Sequence, residues 1–244
     1  MNEYKYLVKY YDALYPLSWY KNWYFFITRV IDKFNLKPKL IIDAGCGTGR
    51  LTNIISQNYN VIGFDKSPEM ISLAKETFPS LKFFVSKFNK FSLPKNTKAD
   101  IIVCTFDSLN YLKTNIELDS VFSNFNNNLR PGGILLFDVN GEKAFAWKDK
   151  PTTNQKVIHV GKDKIIWKNY FSKKKWVANF EIHRRVNSTI EIVKESHAEY
   201  YHSPANIKLI LKKNGFGIIR VYNDTKFNEP SNINDRYFFV ALKK

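Results

Sequence analysis

The chain has 244 residues, 44% of them hydrophobic, 16% aromatic and only two cysteines, with a formal net charge of +16. That length suits one domain with an elaboration, or at most two. The absence of a run of 18 or more apolar residues argues against a transmembrane helix, and two cysteines are too few for a disulfide framework or a zinc cluster. The first residues, "MNEYKYLVKYYD", lack the charged-then-apolar layout of a signal peptide, so a soluble cytoplasmic protein is expected. Lysines are spread along the whole chain, and the longest pure run is Lys173 to Lys175. The charge therefore reads as a solvated surface rather than a focused polyanion site.

Residues 4–36 are crowded with aromatics, and apolar positions recur at helical spacing from Ser18 to Phe34. A β/α alternation follows. Leu40 to Ile42 reads as a buried strand, Arg50 to Gln57 as a helix and "VIGFD", 61–65, as a second strand. Ser67 is placed as an N-cap with Pro68 at the first helical position, opening a helix through Thr77. "LKFFV", 81–85, and "DIIVC", 100–104, read as strands three and four. A helix over 116–129 is expected to stop at "RPGG", before a fifth strand, "ILLFDV", 134–139. Strands spaced by helices imply βαβ units, a parallel sheet and helices on both faces.

The texture changes after residue 142. In "WVANFEIHRR" the residues Trp176, Ala178, Phe180 and Ile182 share one face of a strand by period two. "KIIWKNYF" and "TIEIVKESHAEYY" also read as strands, separated by charged turns. An antiparallel sheet inserted at about 145–201 is predicted. A helix over Ser203–Lys213, closed by Asn214-Gly215, and two last strands near 217–222 and 236–242 complete the chain.

The segment "LIIDAGCGTGRLT", 40–52, carries the chemistry. Its three glycines stand at the carboxyl end of the first strand and before a helix, the edge of an open α/β sheet where ligands bind. Glycine lets the backbone turn sharply and approach a ligand without a Cβ in the way. A dinucleotide fingerprint would require glycine at 50, where Arg50 stands, and no G-K-[ST] follows. Asp43, beside the loop, would repel a phosphate and fits an amine-bearing ligand. Asp65, twenty residues after Gly45, can accept both hydroxyls of a ribose.

"DAGCGTGRLT", "GFDKSPEMI" and "LRPGGILLFDV" resemble the signature segments of class I S-adenosylmethionine-dependent methyltransferases, over roughly residues 38–141. The resemblance implies a Rossmann-like α/β fold with a seven-stranded sheet whose last strand is antiparallel. It implies S-adenosyl-L-methionine as cofactor and S-adenosyl-L-homocysteine as product. The Gly45–Gly49 loop would wrap the methionine part, Asp43, Ala44, Gly45, Cys46 and Gly47 would be cofactor-binding residues, Asp65 would hold the ribose, and Lys66 and Met70 would flank the adenine. Ser86, Lys87, Phe88 and Thr105 would complete the cofactor set. Many family members carry an acid after the third strand that contacts the adenine amine. Lys87 stands there and has no acceptor to offer, so Ser86 or a carbonyl near Phe88 would take the role.

"YDALYPLSWYKNW" resembles the N-terminal segment of small-molecule members, in which a YD-containing helix folds over the cofactor. Tyr11 and Tyr20 are the lid candidates it implies. The resemblance divides the chain into a cofactor domain with a helical lid, 1–144 and 202–244, and an inserted substrate or lid subdomain, 145–201. "FDSLNYL", 106–112, resembles the segment after strand four in sugar N-methyltransferases, placing Tyr111 beside the methyl group. Asp107, Tyr111, His197 and Glu199 are the polar groups to test for catalysis. A hydroxyl acceptor would benefit from a general base, whereas a neutral amine need not. Asp107, Asp138 and Asn140 stand where catechol-type enzymes hold magnesium, but no metal is expected here. No Asp/Asn-Pro-Pro-aromatic motif follows strand four and Cys104 lacks a preceding proline, which disfavours nucleic acid. A small polar acceptor is expected, a sugar, sugar-nucleotide or phosphorylated metabolite in polysaccharide or natural-product tailoring, handled by a monomer or homodimer. The rivals are an RNA methyltransferase and a cofactor-binding module without turnover.

Overall fold

The computed structural model describes residues 3–145, 152–172, 174–231 and 234–244. Two helices open the chain, α1 (Val8–Leu14) and α2 (Leu17–Lys33). The alternation then runs β1 (Ile41–Ala44), α3 (Arg50–Ser56), β2 (Val61–Asp65), α4 (Pro68–Thr77), β3 (Lys82–Val85), β4 (Ala99–Cys104), α5 (Asn115–Asn128) and β5 (Leu129–Asn140). Four long strands follow: β6 (Thr152–Val160), β7 (Asp163–Ser172), β8 (Lys175–Val186) and β9 (Thr189–Tyr200). Helix α6 (Pro204–Lys213), β10 (Phe216–Tyr222) and β11 (Arg236–Lys243) close it.

Seven strands form one sheet in the order β10-β11-β5-β4-β1-β2-β3. Strands β1 to β5 pair in parallel, and β11 runs antiparallel to both β5 and β10. The expected Rossmann-like sheet with an antiparallel last strand is present. Strand side chains alternate between faces. Ile42, Phe64, Ile102, Leu135 and Phe137 therefore pack with Phe122, Phe125 and Leu211 of α5 and α6. Ile41, Val61, Ile101, Val103 and Leu136 meet Trp23, Phe26, Ile27, Leu51 and Ile55 of α2 and α3. Two buried faces explain why the strands read as apolar runs rather than alternating ones.

One expectation is corrected. The Pro-Gly-Gly segment does not separate α5 from the fifth strand; β5 begins at Leu129, directly after the helix. Leu129 pairs with Ala99, and the register then shifts so that Ile134 meets Ile101. The segment is a bulge inside the strand, with Gly132 at φ 71° supplying the left-handed turn.

The second sheet is antiparallel, β6-β7-β8-β9. The start of the predicted insertion runs through residues 146–151, outside the described residues. Ile165, Ala178, Phe180, Ile182 and Val193 form its buried face, and Leu7 and Tyr10 from the amino-terminal segment pack onto it. Among the described residues no helix is long and apolar enough to cross a membrane.

Candidate active site

The loop between β1 and α3 turns on glycines with positive φ, Gly45 at 75°, Gly47 at 52° and Gly49 at 81°. Gly45 and Cys46 both donate their amides to the Phe64 carbonyl, at 2.7 and 3.0 Å, which bends the chain back over β2. A Cβ on Gly45 would sit 3.1 Å from both the Phe88 ring and Ser108 Oγ. One on Gly49 would lie 2.7 Å from the Phe83 ring. The bare backbone is thus required by close neighbours as well as by its dihedrals.

Two aspartates brace this loop. Asp65 accepts from the Gly47 amide at 3.1 Å and the Ser67 amide at 2.9 Å. Burial nevertheless raises its carboxyl above the ordinary value. Asp43 lies beneath the loop, fully buried, and accepts from Thr52 Oγ1 at 2.6 Å. Its Oδ1 is buried without a hydrogen-bond partner among the described residues. Burial lifts its carboxyl to about 7, against the Thr52 hydrogen bond.

Above the loop opens a cavity of about 400 Å³. Gly45, Gly47, Asp65, Lys66 and Met70 form its base, and Ser86, Lys87, Phe88 and Asn89 one wall. Phe106, Ser108 and Tyr111 form the other wall, with Tyr4 and Tyr11 above. The amino-terminal segment is strapped over it. Asp12 accepts from Thr48 Oγ1 at 2.7 Å and pairs with Arg50 Nε at 3.0 Å. Lys66 pairs with Glu3. Tyr10 donates to Asp163 at 2.8 Å, reaching the first residue of β7.

A polar chain runs from the second sheet into the cavity wall. Glu195 accepts from the amides of Tyr4, Tyr6 and Leu7, at 2.5, 2.8 and 3.1 Å. Its Oε1 meets His197 Nε2 at 2.6 Å, His197 Nδ1 meets the Tyr111 hydroxyl at 3.0 Å, and that hydroxyl meets Tyr4 at 2.6 Å. An ionised carboxylate only accepts, so Nε2 carries a proton, and the Nδ1 of a neutral ring accepts from Tyr111. Burial pushes Glu195 up, but the hydrogen bonds from His197 and from the Tyr6 and Leu7 amides outweigh it, and its carboxyl sits below the ordinary value. Burial raises Tyr111 and Tyr4 well above the usual phenol range, so both hydroxyls stay protonated.

Beside this chain lies a second cluster. Phe106 and Asp107 follow β4 in left-handed backbone, at φ 56° and 54°. Such a conformation costs a non-glycine residue roughly 1–2 kcal/mol. Hydrogen bonds hold it in place. The Asp107 amide donates to Asp138 at 3.1 Å, and Arg236 bridges the Asp107 and Asp138 carboxylates, meeting Asp107 at 2.6 Å. Two of the three residues considered for magnesium, Asp107 and Asp138, are thereby joined by a guanidinium. Glu199 accepts from Asn140 at 2.8 Å; burial, and then the neighbouring Asp107, drive its carboxyl far upward, so it holds a proton.

Of the predicted cofactor residues, Tyr11, Gly45, Gly47, Asp65, Lys66, Met70, Ser86, Lys87 and Phe88 line the cavity. Asp43, Ala44, Cys46, Thr105 and Tyr20 do not. The Cys46 side chain turns away into a cluster with Ile71, Ala74 and Phe83. Thr105 is buried with its carbonyl accepting from Ser108, and Tyr20 packs behind the wall, its ring 4.8 Å from Phe106. The Phe88 carbonyl accepts from Asn124 at 2.8 Å, and Ser86 Oγ donates to the Lys87 carbonyl at 3.3 Å. Of the predicted catalytic groups only Tyr111 lines the cavity; His197 and Glu199 are buried behind it and Asp107 beside it. Sequence reasoning missed Glu195, although "ESHAE" places Glu195, His197 and Glu199 on one face by period two. It also missed Tyr4, Asp12 and Arg236, which carry no local signal.

Residues 41–133 match the family model described as a methyltransferase domain. YqeM of Bacillus subtilis (strain 168) is 29% identical over 245 residues, covering 96% of this chain and 94% of the relative. A Streptomyces venezuelae dTDP-3-amino-3,4,6-trideoxy-alpha-D-glucopyranose N,N-dimethyltransferase is 28% identical over 99 residues, 40% of this chain and 41% of that one. A crystal structure of an S-adenosylmethionine-dependent methyltransferase from Clostridium acetobutylicum ATCC 824 superposes with a TM-score of 0.80, at 24% identity, covering 92% of each chain. The seven-stranded sheet and the glycine loop match the class I methyltransferase fold, and residues 41–133 are similar to a methyltransferase domain, whose cofactor is S-adenosylmethionine. The cavity fits that cofactor, with a carboxylate at the end of β2, a glycine floor that a Cβ would fill, and a buried, unpaired Asp43 oxygen beneath the loop.

Proposed function

We propose that the chain methylates a nitrogen or oxygen of a small polar acceptor, with an amino sugar or its nucleotide-linked form as first candidate. The single observation that carries the catalytic reading is the Glu195–His197–Tyr111 chain ending at the wall of the cofactor cavity. Bound S-adenosylmethionine supplies an electrophilic methyl group. Gly45 and Gly47 would seat its methionine part, Asp65 its ribose hydroxyls, and Met70, Lys66 and Phe88 the faces of its adenine. Tyr4 and Tyr11 exclude water from above. Aligning donor and acceptor is the larger part of the work in such a transfer.

The acceptor's proton has a defined route. The Tyr111 oxygen receives it while the Tyr111 proton passes to His197 Nδ1, and Glu195 stabilises the resulting imidazolium. Tyr111 stays neutral at the start and at the end, in keeping with its raised titration, and His197 is the base. The Streptomyces venezuelae relative, by its name, acts on an amino sugar, which supports that acceptor class here. The inserted sheet, 145–201, would act as the substrate subdomain on the cofactor domain, 1–144 and 202–244. Cys46 and Cys104 are free and buried, which suits a reducing cytoplasm.

Mass spectrometry of reactions with S-adenosylmethionine and a panel of nucleotide-linked amino sugars tests the reading. Methyl transfer that falls by 100-fold or more in Tyr111→Phe, with S-adenosylhomocysteine affinity retained, is expected for loss of a proton relay. Cofactor binding without turnover on any amine or hydroxyl in the panel would leave a binding module in place of an enzyme.

A further inference from the structure

A second cleft, of about 270 Å³, opens on the far side of Phe106 from the cofactor cavity. Trp19 and Trp23 of α2, Phe106 and Phe238 make its walls, and Asn22, Asp224, Thr225 and Arg236 its polar points. It lies at the carboxyl edge of the sheet, because Arg236 pairs with Asn140, the last residue of β5. Phe106 is a wall of both spaces, so a molecule seated in the cleft ends one aromatic ring from the cofactor.

The chemistry of the lining selects a class of ligand. Trp19 is 47% exposed, a large indole face left half in water. Arg236 is already shared between Asp107 and Asp138, so its charge is spent on two carboxylates. Asp224 adds a further negative charge at the rim. Its Oδ2 accepts from Asn228 Nδ2 at 2.6 Å, which leaves acceptor capacity for another donor. Anions are therefore disfavoured here despite the net charge of +16. Flat aromatic faces beside a carboxylate with a spare lone pair match a ring that has C–H faces and hydroxyl edges.

We propose that this cleft binds the non-reacting sugar ring of the acceptor, with Trp19 as its stacking platform and Asp224 accepting from its hydroxyls. The inference rests on the methyl-transfer reading and deepens it: contacts remote from the reacting atom hold that atom in line. Trp19 and Asp224 are specificity residues, and Phe106 is the partition around which the reacting atom reaches the cavity.

Nuclear magnetic resonance on the full chain saturated with S-adenosylhomocysteine tests this. The Trp19 indole N–H signal, identified by its loss in Trp19→Phe, is followed while glucose, glucosamine or inorganic phosphate is added. A saturable shift with either sugar, and none with phosphate, is expected. Trp19→Ala should weaken sugar binding at least tenfold and leave S-adenosylhomocysteine affinity within twofold. Trp19→Phe, read by sugar calorimetry, should stay within threefold of the natural protein. An unmoved Trp19 signal with sugar, or a shift with phosphate alone, overturns the proposal while the cofactor reading stands. Failure of S-adenosylhomocysteine to bind the folded protein at all overturns both.

Discussion

Glu195→Gln isolates one buried carboxylate that holds both the amino-terminal strap and His197. One oxygen of Glu195 serves Tyr4 N and His197, and the other serves Tyr6 N and Leu7 N. A glutamine keeps one oxygen and gains an NH2, so either orientation sets that NH2 against at least one buried amide N–H. An unsatisfied buried donor costs about 1–3 kcal/mol, and the remaining bonds lose their charge assistance, for a total of about 2–4 kcal/mol. Because the loss is confined to the strap, it should appear as local opening rather than global unfolding. Hydrogen exchange at the Tyr6 and Leu7 amides should quicken by roughly 30- to 1000-fold, at tenfold per 1.4 kcal/mol. The sign of the pH dependence follows from the lowered carboxyl. Its stabilisation is present above the ordinary glutamate value of 4.5 and is lost as pH falls through the lower folded value. Protection in the natural protein should hold at pH 4.5 and fail only below it, while the variant stays open throughout. Wild-type exchange rates at Tyr6 and Leu7 in Glu195→Gln would refute the reasoning.

Gly49→Ala should lower the urea midpoint by the equivalent of about 2–4 kcal/mol, since φ is 81° and the new Cβ would meet Phe83 at 2.7 Å. Asp43→Asn should flatten the pH dependence of melting of the cofactor-free protein. The Asp43 carboxyl is raised from 3.8 to about 7, so this group's contribution to folding stability is greatest below 3.8 and falls by roughly 4 kcal/mol as pH rises through 7. A variant as steeply pH-dependent as the parent would show that Asp43 is not the titrating group. Asp12→Ala removes a mostly buried ion pair and the Thr48 hydrogen bond, together about 1–2 kcal/mol of the strap's attachment to the glycine loop. Calorimetry should record S-adenosylhomocysteine affinity weakened by roughly 5- to 30-fold.

The β/α half of the molecule was legible because parallel strands buried on both faces leave short apolar runs, and because Ser67 and Pro68 mark the start of α4. The glycine loop was legible for the same local reason. Pro131-Gly132-Gly133 misled because a helix stop and a strand bulge use the same residues; the pairing of Leu129 with Ala99 decides between them. His197 and Glu199 were found, yet their burial was not, since nothing local says that Tyr4, Tyr6 and Leu7 fold onto β9. Arg236 joins Asp107 at a separation of 129 in chain order, and Glu195 meets Tyr4 at a separation of 191. Such partners are set by topology alone.

The strap of residues 3–15 is fastened to two separate parts of the fold: Asp12 to the glycine loop, and Tyr4, Tyr6, Leu7 and Tyr10 to the inserted sheet. Neither the core nor the insertion is therefore a free-standing cassette. A chimera that grafts a foreign sheet between β5 and α6, in search of a new acceptor, inherits a mismatched clasp unless the first fifteen residues travel with the graft.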